Sequence, residues 1–83
     1  MAKIKKVILD VLKPHHPSVI EFAAALTDKG AQCKVKITVE EVDEKTESII
    51  LELEGEDILF DTVVETINDL GGSLHSIDMV EVE

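Results

Sequence analysis

The sequence predicts an α+β fold of the ferredoxin-like type, in which two helices cover one face of a four-stranded antiparallel sheet. The hydrophobic pattern changes between strand-like alternation and helical spacing, and the resulting element order is βαββαβ. Short connections and right-handed crossovers fold this order most readily with the sheet order 4-1-3-2. A length of 83 residues predicts a single domain over 1–83.

The first strand and first helix are separated by a loop that contains two prolines. Residues 3–12 are rich in aliphatic side chains and predict a central strand. The segment Lys13-Pro14-His15-His16-Pro17 should end this strand, because proline lacks a backbone donor and disfavours helix at the preceding residue. A helix should follow, with Pro17 in its first turn, Lys29 near its end and Gly30 as the residue that terminates it.

The middle of the chain predicts a β-hairpin. Residues 32–42 and 47–54 each alternate between apolar and polar side chains, and a short polar turn separates them. In such a hairpin, Lys34 and Lys36 lie across from glutamates of the partner strand, which is a favourable arrangement.

The last third of the chain predicts a helix followed by a strand. The helix should begin near Asp61, with Asp61 as its N-cap and Phe60 as the staple residue before it, and Gly71-Gly72 should end it. Residues 73–82 form a less regular strand in which a bulge is expected. The predicted core consists of Val7, Leu9, Val11, Val19, Phe22, Ala23, Leu26, Val35, Ile37, Val39, Ile49, Leu51, Leu53, Phe60, Val63, Ile67 and Leu70.

The composition argues against several functions. The net charge is −10, with 18 acidic residues against 8 lysines and no arginine, so the chain lacks the basic surface that nucleic-acid binding needs. It also lacks Tyr and Trp, on which bases could stack. Cys33 is the only cysteine, which suits a buried thiol in a reducing cytoplasm. The apolar run at Val7–Leu9 is too short for a signal-peptide core or a membrane span, so we expect a cytoplasmic protein.

Three segments resemble those of a known family. VILDVLKPHHP, FDTVVETINDLGG and GGSLHSID are similar to the archaeal domain of unknown function 211 family, and the resemblance covers nearly the whole chain. The resemblance implies a ferredoxin-like fold and ring-like homo-oligomers with bound metal. It implies no activity, because the family has none assigned.

The familiar activities of this fold need residues that the chain does not have. A soft-metal carrier needs a Cys-x-x-Cys pair after the first strand, and an acylphosphatase-like site needs an arginine to hold phosphate. An RNA-recognition module needs aromatic residues on its central strands. A small-molecule-sensing domain of the ACT type stays an alternative, although its glycine-rich turn is replaced here by proline and histidine.

Histidines and carboxylates should meet at one end of the predicted sheet. There the end of the first strand, with Asp10, lies beside the start of the last strand, with His75, and the loop holding His15 and His16 lies at the same edge. Imidazole and carboxylate are suitable ligands for a divalent metal, so Asp10, His15, His75 and Asp78 form a candidate metal site. The alternatives are that these side chains cap helices and bind loops, or that a His–Asp pair serves an enzyme without an identified nucleophile.

The sequence therefore favours a non-enzymatic module that forms a homo-oligomer and binds a metal or small ligand. Strands 2 and 4 are the edges of the predicted sheet and carry opposite charge, with Lys34 and Lys36 on one and Glu81 and Glu83 on the other. A head-to-tail contact between unlike edges closes into a ring when the rotation allows it. We expect a cyclic homo-oligomer in which strand 2 of one subunit lies near strand 4 of the next.

Overall fold

The computed structural model describes residues 2–29 and 33–83 and shows the predicted ferredoxin-like arrangement. The elements are β1 (Ile4–Pro14), α1 (Val19–Asp28), β2 (Lys34–Val42), β3 (Thr46–Glu54), α2 (Phe60–Asp69) and β4 (Ser73–Val82). All strand pairs are antiparallel and their order is β2-β3-β1-β4, which is the predicted order counted from the other edge. Residue 32, predicted in the second strand, and Gly30, predicted to end the first helix, lie outside the described residues.

Strand β1 is longer than the sequence predicts, because the proline loop begins later. Lys13 and Pro14 still belong to the strand and pair with Glu47 and Thr46 of β3. Pro14 is tolerated because it is the last paired residue of the strand. The extension places Lys13 on the side of the sheet that the helices cover.

Both helices begin at different residues from those predicted. Ser18 caps α1: its hydroxyl accepts a hydrogen bond from the Glu21 amide, and the Glu21 carboxylate accepts one from the Ser18 amide. Pro17 therefore lies before the helix. In α2 the N-cap is Leu59, without a side-chain hydrogen bond, and Asp61 lies inside the first turn, where its charge favours the helix dipole.

The core lies between the helices and one face of the sheet. Most of the predicted residues are fully buried there, and the buried set is Val7, Leu9, Val11, Phe22, Leu26, Ile49, Leu51, Leu53, Ile58, Val63 and Ile67. The predicted residues Val19, Val35, Ile37, Phe60 and Leu70 pack against this set and are partly buried. Val39 is 41% exposed, because β2 is an edge strand with one neighbour, and Ala23 is only half-buried. Ile58, Lys13 and Thr66 are also buried, although none of them belongs to the predicted core.

The end of α2 is fixed by two glycines, as predicted. Gly71 has a φ of 83°, a left-handed conformation that glycine adopts without strain. At Gly72 a side chain would come within 3.1 Å of Ile67 and 3.3 Å of the Leu12 carbonyl oxygen, so the chain passes too close to the core for a larger residue. The tight turn brings the start of β4 beside the end of β1.

Strand β4 is irregular, as its sequence predicts. Its pairing with β1 shifts three times: His75 and Asp78 are left out of the register in β4, and Lys5 is left out in β1. The pairing of β2 with β3 shifts once, after Val39. In residues 2–29 and 33–83 no helix is long and apolar enough to cross a membrane.

Candidate functional site

A buried lysine lies at the end of the sheet where β1 and β3 meet the β1–α1 loop. The Lys13 side chain is fully buried, and its ammonium group donates hydrogen bonds to Glu47 Oε1 at 3.0 Å and to the Pro14 carbonyl oxygen at 2.7 Å. The Phe22 ring of α1 lies 5.9 Å from the same nitrogen, within cation–π range. A charge buried in this way needs a partner, because desolvation of an unpaired ion is costly.

Glu47 and His15 complete the cluster. His15 Nδ1 lies 3.0 Å from Glu47 Oε2, and His15 Nε2 lies 2.9 Å from the Asp43 carbonyl oxygen and 3.0 Å from that of Glu44. Carboxylate and carbonyl oxygens only accept hydrogen bonds, so both ring nitrogens can donate only when the imidazole is protonated. The geometry therefore favours the imidazolium form of His15.

The acid–base properties of the cluster follow from these hydrogen bonds. The carboxylate of Glu47 and the carbonyl groups of Glu44 and Asp43 raise the pKa of His15 above its usual value. In return, the hydrogen bonds from His15 and Lys13 lower the pKa of Glu47. The cluster thus holds the Glu47 carboxylate between the Lys13 ammonium group and the His15 ring, whose imidazolium form these hydrogen bonds favour.

The side chains of this cluster bind one another and the surrounding backbone. Lys13 is sealed from solvent, and both nitrogens of His15 are already bound to protein acceptors. Through these hydrogen bonds, Lys13, His15 and Glu47 connect the β1–α1 loop to the β2–β3 hairpin. The signal for Lys13 and Glu47 was present in the sequence, since each continues the inward alternation of its strand.

The four predicted metal ligands are not brought together. His15 turns toward β3 and the hairpin, on the opposite side of β1 from β4. Asp10 is half-buried and pairs with Ile50 and Ser76, while His75 and Asp78 are the exposed, unpaired residues of β4. Asp78 accepts a hydrogen bond from the Ser76 hydroxyl at 2.7 Å, and His16 is exposed in the loop. Among residues 2–29 and 33–83, no three His, Cys, Asp or Glu side chains are grouped so that they could hold a metal ion.

The predicted ligands lie apart because strand topology fixes the position of the backbone but does not fix the direction of a side chain. The loop that holds His15 follows β1 as predicted, yet its ring binds the carbonyl groups of Asp43 and Glu44 in the β2–β3 hairpin. The two bulges in β4 displace His75 and Asp78 from the positions opposite β1.

The predicted interface residues occupy the two free edges of the sheet. Lys34 and Lys36 are exposed on β2 and lie across from Glu54 and Glu52 of β3, as the hairpin predicts. Glu81 is exposed on β4 and pairs with Lys6. The exposed Glu83 follows β4, and its backbone forms two hydrogen bonds with Lys3.

Cys33 lies just before β2 and is half-buried. Burial raises the pKa of its thiol, so the thiolate is disfavoured at neutral pH. Cys33 therefore behaves as a small apolar residue at the margin of the core.

These features define a small ferredoxin-like domain with a buried ion cluster and two free sheet edges. Its sequence matches the profile of the domain of unknown function 211 family, described as an uncharacterized ArCR, over residues 5–82. It is also 42% identical to an uncharacterized protein of the archaeon Methanocaldococcus jannaschii over 80 residues, which covers 96% of this chain and 82% of that protein. The chain belongs to the domain of unknown function 211 family.

Proposed function

We propose that this protein is a non-enzymatic module of the cytoplasm that assembles into a cyclic homo-oligomer through the edges β2 and β4. The observation that supports the proposal most strongly is that β2 and β4 each have a free edge. Each has one neighbouring strand, so each presents unpaired backbone amide and carbonyl groups along its length. Such groups are a template for pairing with another chain.

The side chains on β4 strengthen the argument. Ile77 and Val80 point to the helix-covered side of the sheet, yet each is 54% exposed. With Ile4, Val7 and Phe60 they line an apolar groove of about 140 Å³ at the free edge. A strand from a second copy would cover these aliphatic side chains and remove them from water.

Charge favours a contact between unlike edges. Strand β4 and the residue after it carry Asp78, Glu81 and Glu83 and no lysine, so two β4 edges repel, whereas β2 carries Lys34 and Lys36 near its start and Glu40 and Glu41 near its end. Only the unlike pairing brings Lys34 and Lys36 near Glu81 and Glu83. An unlike pairing is heterologous, so it continues from copy to copy until a ring closes.

The proposal is tested by reversing the charge of one edge at a time. In sedimentation velocity, the variant Lys34→Glu/Lys36→Glu should dissociate, and so should Glu81→Lys/Glu83→Lys. Mixing the two variants should restore assembly, because each then offers the edge that the other needs. The control Lys29→Glu/Lys45→Glu changes the net charge as much as the first variant, at exposed sites outside both edge strands, and should stay assembled.

Far-UV circular dichroism of each variant separates loss of assembly from loss of fold, since Lys34 and Lys36 also face glutamates within their own chain. The proposal fails if the unmodified protein sediments as a monomer, or if the mixture of folded variants does not reassemble.

A further inference from the structure

The pairing of residues across the sheet indicates how the β4 edge of one copy would contact the β2 edge of another. Residues paired across β2, β3, β1 and β4 form continuous rows that run from one free edge to the other. Three rows on the helix-covered side are wholly apolar: Val35–Leu53–Val7–Val80, Ile37–Leu51–Leu9–Ile77 and Val39–Ile49–Val11–Leu74. Each row begins with an aliphatic residue at one edge and ends with one at the other.

A row on the opposite side of the sheet alternates in charge. It runs Lys34–Glu54–Lys6–Glu81, so that each lysine lies beside a glutamate of the next strand. The positive end of this row is at the β2 edge and the negative end is at the β4 edge. Placing a second copy beside the first continues the alternation, because Glu81 then meets Lys34 of the next copy.

The strand directions agree with this placement. Every neighbouring pair in the sheet is antiparallel, so β2 and β4 of one copy run in opposite directions. A copy displaced along the sheet, with its helices on the same side, therefore presents its β2 antiparallel to β4 of the first. If the copy were turned over instead, its apolar rows would meet the polar side of the first copy.

We propose that neighbouring copies join without a shift in register, so that all four rows continue from β4 of one copy into β2 of the next. This proposal rests on the self-assembly proposed above and specifies its interface. Val80 then lies opposite Val35 of the next copy, Ile77 opposite Ile37, Leu74 opposite Val39 and Glu81 opposite Lys34. The occupant of the apolar groove at Ile77 and Val80 is thus β2 of another copy of this chain.

The irregular register of β4 fits this arrangement. Bulges increase the local right-handed twist of a strand, and a twisted interface strand turns each copy relative to the one before it. The bulges at His75 and Asp78 lie on the strand that would join two copies. A constant rotation at each junction is what closes a row of copies into a ring.

Disulfide trapping tests the register directly. In a Cys33→Ser background, the variant Val35→Cys/Val80→Cys places the two thiols opposite each other across the interface. Directly opposed residues of antiparallel strands have Cβ atoms about 4.5–5.5 Å apart, close enough for a disulfide with a small adjustment. Oxidation should give covalent multimers on non-reducing gels, and reduction should return single chains.

The matched control is Val39→Cys/Val80→Cys in the same background, in which the thiols are displaced by four residues, or about 13 Å along the strand. It should give less than about a tenth of the cross-linking seen with the first variant. Equal cross-linking by both variants, or stronger cross-linking by the control, overturns the register. If both variants sediment as oligomers but only the control cross-links, assembly stands and the register is wrong, whereas a monomer in sedimentation velocity removes both proposals.

Discussion

Lys13 provides the most informative test of what holds this fold together. Its side chain is fully buried, its ammonium group pairs with Glu47, and its stem occupies core volume beside Phe22. Truncation to alanine removes most of a side chain that is one atom longer than that of methionine from a closed site, which costs about 3 kcal/mol by analogy with large-to-small core substitutions. Folding stability for a chain of this size is only about 4–12 kcal/mol, so the loss is a large fraction of the total.

Lys13→Met separates packing from charge. Methionine keeps most of the volume and removes the buried ammonium, while Glu47, whose side chain is 18% exposed, keeps its contact with His15 and is not left as an uncompensated buried charge. We therefore expect Lys13→Met to cost about 1 kcal/mol or less, the residual loss reflecting the Pro14 carbonyl oxygen that has lost its donor. The assay is urea unfolding followed by far-UV circular dichroism at neutral pH and fixed protein concentration.

A double-mutant cycle completes the argument. Glu47→Gln in the native background leaves the buried ammonium without its carboxylate and should lower the urea midpoint clearly, whereas the same change in the Lys13→Met background should lower it much less. Glu44→Gln, an exposed change in the same hairpin, is the control and should have little effect. The reasoning is refuted if Lys13→Met is as destabilising as Lys13→Ala, or if Glu47→Gln costs the same in both backgrounds.

Three further predictions concern stability. Because the pKa of His15 is raised in the fold, its contribution to stability is complete below about pH 6.5 and is lost as the pH rises through the raised value; His15→Asn should flatten this alkaline limb in urea midpoints measured against pH. Phe22→Ala should cost about 4 kcal/mol and more than Phe60→Ala, since only Phe22 is fully buried, and equal losses in urea unfolding would contradict the packing. Ser18→Ala should cost about 1 kcal/mol through loss of the cap, and Ser18→Asp should recover most of it in thermal melts.

The fold could be predicted because its signals are local and repeated. Alternation over the β2–β3 hairpin places Lys34 opposite Glu54 and Lys36 opposite Glu52, and both pairs are present. The same alternation predicts that Val39 lies in the core. This prediction is wrong, because β2 is an edge strand and has a neighbouring strand on one side only. Periodicity shows which face a residue occupies, but it does not show how far the neighbouring elements extend over that face.

The sequence does not predict the cluster of Lys13, Glu47 and His15. Pro14 lacks a backbone donor and predicts a strand that ends at residue 12, and this prediction leaves Lys13 in the loop. The structure keeps Lys13 in β1 and pairs it with Glu47. The predicted neighbourhood of Asp10, His15 and His75 is not formed, because the His15 ring binds Glu47 and the hairpin carbonyl groups and a bulge displaces His75. Strand order specifies neither of these features.

Self-assembly through the sheet edges is the central claim, and native mass spectrometry with and without a chelator tests it most directly. The edges are joined by backbone hydrogen bonds and aliphatic contacts in this account, so assembly does not depend on a metal ion. The account predicts one discrete oligomer larger than a dimer, with the same number of subunits before and after chelation; a bound metal would appear as additional mass that the chelator removes. A spectrum that contains only the mass of a single chain would contradict it.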